Sequence, residues 1–275
     1  MYGHLASPVA FKPTEVKIMG AESTSTISVN NAGVLVGQYT NSMGDTYGMM
    51  LNGSTLTRID DPKAVAGSTW CYGINNNNQV VGFYTSGTTG QQVGFYYASG
   101  TFTDVTDPAG AVAAEAWDIN DSGQITGYFI DSSAKEHGFV LSGPGGTCTQ
   151  LDVPGATTTY AWGINSSGTI TLGWDDSAGY SEASLYNGTT YTTIDLPGSY
   201  NFGVHSINSN GDVVCASVDG DGNYHGGLLS GGAYYRLDTP GGTNTHADGI
   251  NDSSLIVGRC NPTGSTDFSG FKGTP

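Results

Sequence analysis

Positive charge is scarce in this sequence. Eight Lys and Arg stand against 24 Asp and Glu, a net charge of −16. So few cations cannot neutralise a run of phosphates, which excludes nucleic acid as a natural partner. The same field repels anionic membrane surfaces. Charge of either sign makes up only 12% of residues, about half the usual share, so Ser, Thr, Asn and Gly must keep the surface in water. No apolar run approaches the ~18 residues of a membrane span, and no membrane insertion is expected. The opening MYGHLASPVAFK lacks a basic n-region and an apolar h-region, so no secretory leader is expected within it. Cysteine is sparse too: Cys71, Cys148, Cys215 and Cys260 form no CxxC pair, which argues against a zinc site and leaves buried thiols or one disulfide open. Helical periodicity is absent over any 10-residue stretch, which rules out helical repeats.

What the sequence has is a repeat. SVNNAG at Ser28, GINNNN at Gly73, DINDSG at Asp118, GINSSG at Gly163, SINSNG at Ser206 and GINDSS at Gly249 follow one another at steps of 45, 45, 45, 43 and 43 residues. A period of about 40–50 residues fits a propeller blade. Each unit reads as four strands: in Thr69–Pro108 these are TWCYGIN, QVVGFYT, QVGFYYA and TFTDVTD, rich in β-branched and aromatic residues and bounded by turn formers. The N-x-x-G turn between the first two strands pairs a side-chain cap with a position of positive φ. Gly33, Gly123, Gly168 and Gly211 fill that position, Asn78 fills it once, and Ser254 breaks the rule. Pro62, Pro108, Pro154, Pro197 and Pro240 end the fourth strands. The last unit has ADGIN, LIVGRC and DFSGFK but no fourth strand, while AFKPTEVKIMGAEST near the N-terminus aligns with the fourth strand and corner of a middle unit. The expected fold is therefore all-β: a single six-bladed β-propeller over 1–275. Its blades are 21–62, 63–108, 109–154, 155–197, 198–240, and 241–275 closed by 1–20, and closure leaves no open edge. Tyr2–Leu5 also resembles a third strand, so either terminus could supply that strand of the last blade.

WDINDSGQITGYF, EHGFVLSG and TTIDLPGS resemble the bacterial extracellular HAF-type repeats, whose pattern runs GIN-x-x-G-x-I-V-G-x-Y, then H-G-F, then G-x-F-T-x-I-D-x-P-G-A. The resemblance covers nearly the whole chain. It implies a β-propeller and an exported bacterial protein, and it carries no catalytic residues. The third-strand His of the pattern stands only at His137 and His225, with Tyr47, Val93 and Glu182 in its place elsewhere. The Ser/Thr/Asn-rich, Lys-poor composition also points to a secreted or periplasmic setting.

In a repeat protein the positions that differ between copies are candidates for function. Three places before the Ile of GIN the residues are all small: Thr26, Cys71, Ala116, Ala161, Val204 and Ala247. That column reads as packing near the axis. Two places before lie Ile27, Tyr72, Trp117, Trp162, His205 and Asp248, and four places before lie Ser25, Trp70, Glu115, Tyr160, Gly203 and His246. Residues two apart share a strand face, and propellers place the start of the inner strand at the mouth of the central channel. Trp70, Tyr72, Trp117, Tyr160 and Trp162 thus form a candidate ligand-binding wall, suited to a sugar or another small molecule. Blade-to-blade packing is the alternative for these rings. Glu115, His205, His246 and Asp248 are the candidate catalytic residues, Glu115 beside Trp117 with a raised pKa. Such an enzyme would be a hydrolase, lyase or isomerase, although no GxSxG or HExxH is present. A narrower version makes His205, His246 and Asp248 a three-ligand metal set; otherwise no metal or cofactor is implied. A structural scaffold for protein interaction is the third alternative. DGDGN at Asp219–Asn223 begins like a calcium loop but lacks its closing Glu, and reads as a hairpin turn.

Overall fold

The computed structural model describes residues 11–105, 108, 110–195 and 201–275. Among them every regular element is a strand, up to 11 residues long, and no helix is long and apolar enough to cross a membrane. Units one to five each supply four antiparallel strands in chain order, and the sixth supplies three. The third unit is typical, with Ala111–Ile119, Ile125–Asp131, Glu136–Leu141 and Cys148–Leu151 paired in sequence. Units three to six each form a separate sheet. Units one and two are joined by one parallel bridge, Thr46 to Ser68. The fold is an all-β propeller.

The sixth sheet runs Gly242–Ile250, Ile256–Pro262, Ser269–Gly273, then Thr14–Val16. Its third strand therefore comes from the C-terminal segment and its fourth from the N-terminal one, with Glu15 opposite Phe271. Tyr2–Leu5, the other candidate for the third strand, lies outside the described residues, as does Pro197. Pro62, Pro108, Pro154 and Pro240 all follow a fourth strand.

Apolar residues are buried between sheets rather than in one centre. Val81 of unit two packs with Ala116, Ile125 and Phe139 of unit three. Ala183 and Ile194 of unit four pack with Val204, Val213 and Leu229 of unit five. Val16 and Val257 of the sixth sheet pack with Val29 and Leu35 of the first. Phe95, Phe139 and Phe271 repeat one third-strand position and are almost fully buried, each stabilising its interface by roughly 2–3 kcal/mol.

The turn after each first strand follows the sequence grammar and adds to it. Asn120 Oδ1 accepts the backbone N–H groups of Ser122 (3.1 Å) and Gln124 (3.0 Å), and Gly123 takes φ 81°. Ser254, the one residue that departs from the pattern, still adopts φ 59°. The turn dictates the backbone even where the residue does not favour it. The Asn amide also reaches out of its own unit. Asn30 Nδ2 donates to Asn75 O, Asn75 to Asn120 O, Asn120 to Asn165 O, Asn165 to Asn208 O, Asn208 to Asn251 O, and Asn251 back to Asn30 O. All six bonds are 3.0–3.2 Å.

Two stability outcomes follow. Asn120→Asp keeps the turn acceptor but removes the donor to buried Asn165 O, and should lower the unfolding free energy by about 1–3 kcal/mol. Asn120→Ala, which also loses the turn, should lower it further; urea unfolding of both variants checks the order. Ser254→Gly relieves a left-handed residue and should raise stability by about 0.5–1 kcal/mol in the same assay.

Candidate functional site

All six first strands carry a β-bulge at one position. The ladder register shifts between Thr26 and Ser28, Cys71 and Gly73, Ala116 and Asp118, Ala161 and Gly163, Val204 and Ser206, and Ala247 and Gly249. The bulged residues are thus Ile27, Tyr72, Trp117, Trp162, His205 and Asp248. A bulge leaves its residue unpaired and re-aims the side chain. All six line one central cavity of about 110 Å³, together with Ser28, Asp118, Ser206 and Arg259. Strict alternation puts this column and the one two residues earlier on the same face, and they stay in contact: Trp70 and Tyr72 both pack on Phe83, and Trp117 stacks on Tyr160 at 6.0 Å.

One side of the cavity is aromatic. Tyr72 and Trp117 are stacked at 6.4 Å between centroids, and Trp117 and Trp162 at 3.9 Å with a 19° interplanar angle. The other side is polar. Asp248 Oδ2 accepts from Arg259 Nη1 at 3.1 Å. His205 Nδ1 lies 3.0 Å from Ala247 O and 3.3 Å from Asp248 Oδ1. Burial, reinforced by Arg259, pushes the His205 pKa down to about 4, so the ring is neutral at pH 7. Its Nδ1–H then donates to the Ala247 carbonyl and its Nε2 is left as an acceptor. Burial outweighs the attraction of Arg259 at Asp248 and pushes that carboxyl up to about 7. Asp118 accepts the N–H groups of Ile119 and Ile164 and is also pushed to about 7 by burial.

The earlier column divides. Trp70 stacks on Phe83 at 4.9 Å. Glu115 accepts from Trp117 Nε1 (2.8 Å) and Tyr128 OH (3.2 Å), and burial raises it to about 7 against those bonds. Tyr160 OH donates to Glu136. His246 stacks on Tyr224 at 4.7 Å and is pushed down to about 3 by burial, then by Arg259 and His205. Tyr160 and His246 share a second depression with Trp162 and His205, a groove of about 260 Å³ between units four, five and six. The nine candidates therefore do not meet at one point. Tyr72, Trp117, Trp162, His205 and Asp248 surround the cavity, Tyr160 and His246 border the groove, and Trp70 and Glu115 are engaged within their own units.

The proposed metal set does not assemble. His246 is stacked on Tyr224 and Asp248 is engaged by Arg259; among the described residues no group of three His, Cys, Asp or Glu has metal-binding geometry. DGDGN is a hairpin turn, Asp219 Oδ1 accepting from Asp221 N and Asn223 N. Arg259, Trp174 and Tyr224 were not legible as site residues because they stand on second and third strands outside the aligned columns, and Glu182 was read only as a replacement in the third-strand His column.

The titration of Glu115 has a definite sign. Its ordinary pKa near 4.5 rises to about 7 in the folded chain, so the folded state binds more protons between those values. Its contribution to stability is whole below about pH 4.5 and is lost as pH rises through 7. His205 and His246, both lowered, act in the opposite sense as pH falls below about 6.5. Glu115→Gln should therefore gain stability relative to the parent between pH 5 and pH 8, read as the change in the difference of their urea midpoints.

No family model and no curated protein sequence matches the chain. Solved structures do. AofleA of Arthrobotrys oligospora aligns over 98% of this chain and 88% of its own, with TM-score 0.57 and 11% identity. The Aleuria aurantia lectin in complex with Fucα1-6GlcNAc aligns over 95% and 98%, with TM-score 0.54 and 12% identity, and is described as a six-bladed β-propeller with fucose recognition. The propeller domain of the Trilobed protease of Pyrococcus furiosus aligns over 92% and 94%, with TM-score 0.51 and 10% identity. At these identities the likeness is one of fold: this chain has the fold of the β-propellers.

Proposed function

We propose that this chain is an exported, HAF-type propeller of six blades closed into a ring, and that it binds carbohydrate at the aromatic mouth of its channel. The six blades follow the sequence units 21–62, 63–108, 109–154, 155–197, 198–240, and 241–275 with 1–20. The return of the asparagine series from Asn251 to Asn30 supports closure, as does the packing of Val16 and Val257 on the first sheet. The carrying observation for function is the stacked Tyr72–Trp117–Trp162 wall facing His205 and Asp248. Flat π-faces hold the apolar face of a sugar ring, and convergent acceptors orient its hydroxyls. The fucoside-binding lectins among the structural neighbours support the same reading for this fold.

Acid–base catalysis has one observation in its favour, the pKa of about 7 at Glu115. Against it, Glu115 is held by Trp117 and Tyr128, while His205 and His246 bond and stack elsewhere.

Trp162 borders both the cavity and the groove. Trp162→Ala should weaken glycan binding at least about tenfold, the equivalent of ~1.4 kcal/mol, in calorimetry against a panel of methyl glycosides. Glu115→Gln should leave affinity within about twofold. Turnover of an aryl glycoside by the parent chain, abolished in Glu115→Gln, would favour the enzyme instead.

A further inference from the structure

Units four and five depart from the other four in the same place. The residue four before the GIN Ile faces a fixed partner across the first two strands. These pairs are Ser25 with Gln38, Trp70 with Phe83, Glu115 with Tyr128, Tyr160 with Gly173, Gly203 with Ala216, and His246 with Arg259. Units two and three fill the position with large side chains. Gly203 and Ala216 leave it bare in unit five, while Gly173 in unit four admits the Trp162 ring, whose Nε1 lies 2.9 Å from where a Cβ would stand, and the groove of about 260 Å³ opens there.

The backbone departs as well. In units one, two, three and six the second strand carries Gly37, Gly82, Gly127 or Gly258, where a Cβ would strike the carbonyl of Ser25, Trp70, Glu115 or His246 at 1.9–2.0 Å. Leu172 and Cys215 occupy that register in units four and five. The paired first strand of unit four, Thr158–Ile164, also lacks the upper register shift seen in units one, two, three and six. The groove is thus written into the chain twice, in side-chain size and in strand geometry.

We propose that this groove is a single-copy site for one neutral pyranose ring, one per chain rather than one per repeat. The proposal rests on the carbohydrate reading but seats the ring in the groove rather than in the adjoining cavity, the two sharing Trp162 and His205, and assigns the ligand class. Trp162, Trp174, Tyr160 and Tyr224 supply the aromatic walls, with Trp174 held by its Nε1 donating to Ser184 Oγ at 3.1 Å. His205 turns its free Nε2 towards the vacant position, 3.4 Å from where a Cβ on Gly203 would lie. Glu182 and Asp175 add carboxylate oxygens. His205 Nε2 and the carboxylates accept hydrogen bonds, the Trp162 Nε1–H beside Gly173 donates one, and among the described residues no Lys or Arg lines the groove. Such a site takes a ligand that donates hydroxyls and offers an apolar face, and rejects an acid sugar by charge. Its volume falls below the ~300–1,000 Å³ of drug-sized pockets, which suits a single ring.

The test uses what unit two already carries. Gly203→Trp installs the residue found at the equivalent position, Trp70. The backbone there is outside the left-handed region, and a Cβ meets only His205 at 3.4–3.8 Å. Ala216→Phe copies Phe83 and fills the groove from the other strand. Calorimetry with neutral methyl pyranosides, and with N-acetylneuraminic acid and methyl galacturonide as acidic probes, should give one site per chain for a neutral glycoside and none for the acids. Both filling variants should lose at least about tenfold in affinity while Tm and the far-UV spectrum stay at parental values. Several equivalent sites per chain, a preference for the acid sugars, or unchanged affinity in a folded filling variant overturns the assignment. If affinity persists in both fillers but is lost in Tyr72→Ala, which borders the cavity alone, the carbohydrate reading stands and the groove falls. If the parent binds none of the glycosides, the carbohydrate reading falls with it.

Discussion

One side chain, repeated six times, sets the frame on which everything else hangs. Each asparagine of the GIN turn works in two directions. Its Oδ1 gathers two backbone N–H groups of its own turn, and its Nδ2 crosses to the carbonyl of the next asparagine. That carbonyl also receives the N–H of the left-handed residue three places on, as Gly123 N does to Asn120 O at 3.0 Å. Neighbouring units are thereby fixed in rotation at the end of their first strands. Buried amides linked in series polarise one another, and each unmade bond would leave a buried polar group unpaired. The hydrophobic clusters between sheets supply most of the stabilising energy, but they tolerate sliding. The amide series does not.

The first strands show how far burial reshapes charge. The chain carries a net −16, yet Glu115, Asp118 and Asp248 are pushed towards neutrality by desolvation, and His205 and His246 are held uncharged by the same cause. The excess negative charge therefore belongs to the surface. The cavity is a weakly charged, partly aromatic space in which Arg259, the one Lys or Arg among the described residues lining it, is committed to Asp248. Such a space favours a polar but uncharged guest, since any net charge would be desolvated without a counterion.

What could be read from the sequence was whatever local stereochemistry dictates. The N-x-x-G turn, the positive φ at Asn78, the strand-ending Pro62, Pro108, Pro154 and Pro240 and the small column at Ala116 and Ala161 each depend on a few neighbouring residues, and each stands in the structure as the pattern implied. Relations between strands were not legible. Simple alternation put Trp117 and Glu115 on one face, and Trp117 does donate to Glu115, but neither the bulge that brings Trp117 to the cavity nor the bond from Tyr128 to Glu115 could be read from one strand. Arg259 was missed because its role depends on register with His246 and proximity to Asp248. The groove did leave a trace: TLGWD and VVCAS interrupt the second-strand pattern seen in VVGFY and ITGYF. That trace acquires meaning only once strand pairing shows which carbonyl the missing glycine would have faced.

The bulge also bears on how such a chain can change over generations. A residue held outside the ladder contributes no pairing energy, so its identity is not policed by the sheet. Isoleucine, tyrosine, tryptophan, histidine and aspartate all occupy the same bulged position in one molecule. After duplication of a unit, drift at that position alters the lining of the cavity while the amide series and the intersheet packing keep the copy foldable. The scaffold thereby separates the residues that mutation can explore from those it cannot, and six copies give six independent places to explore.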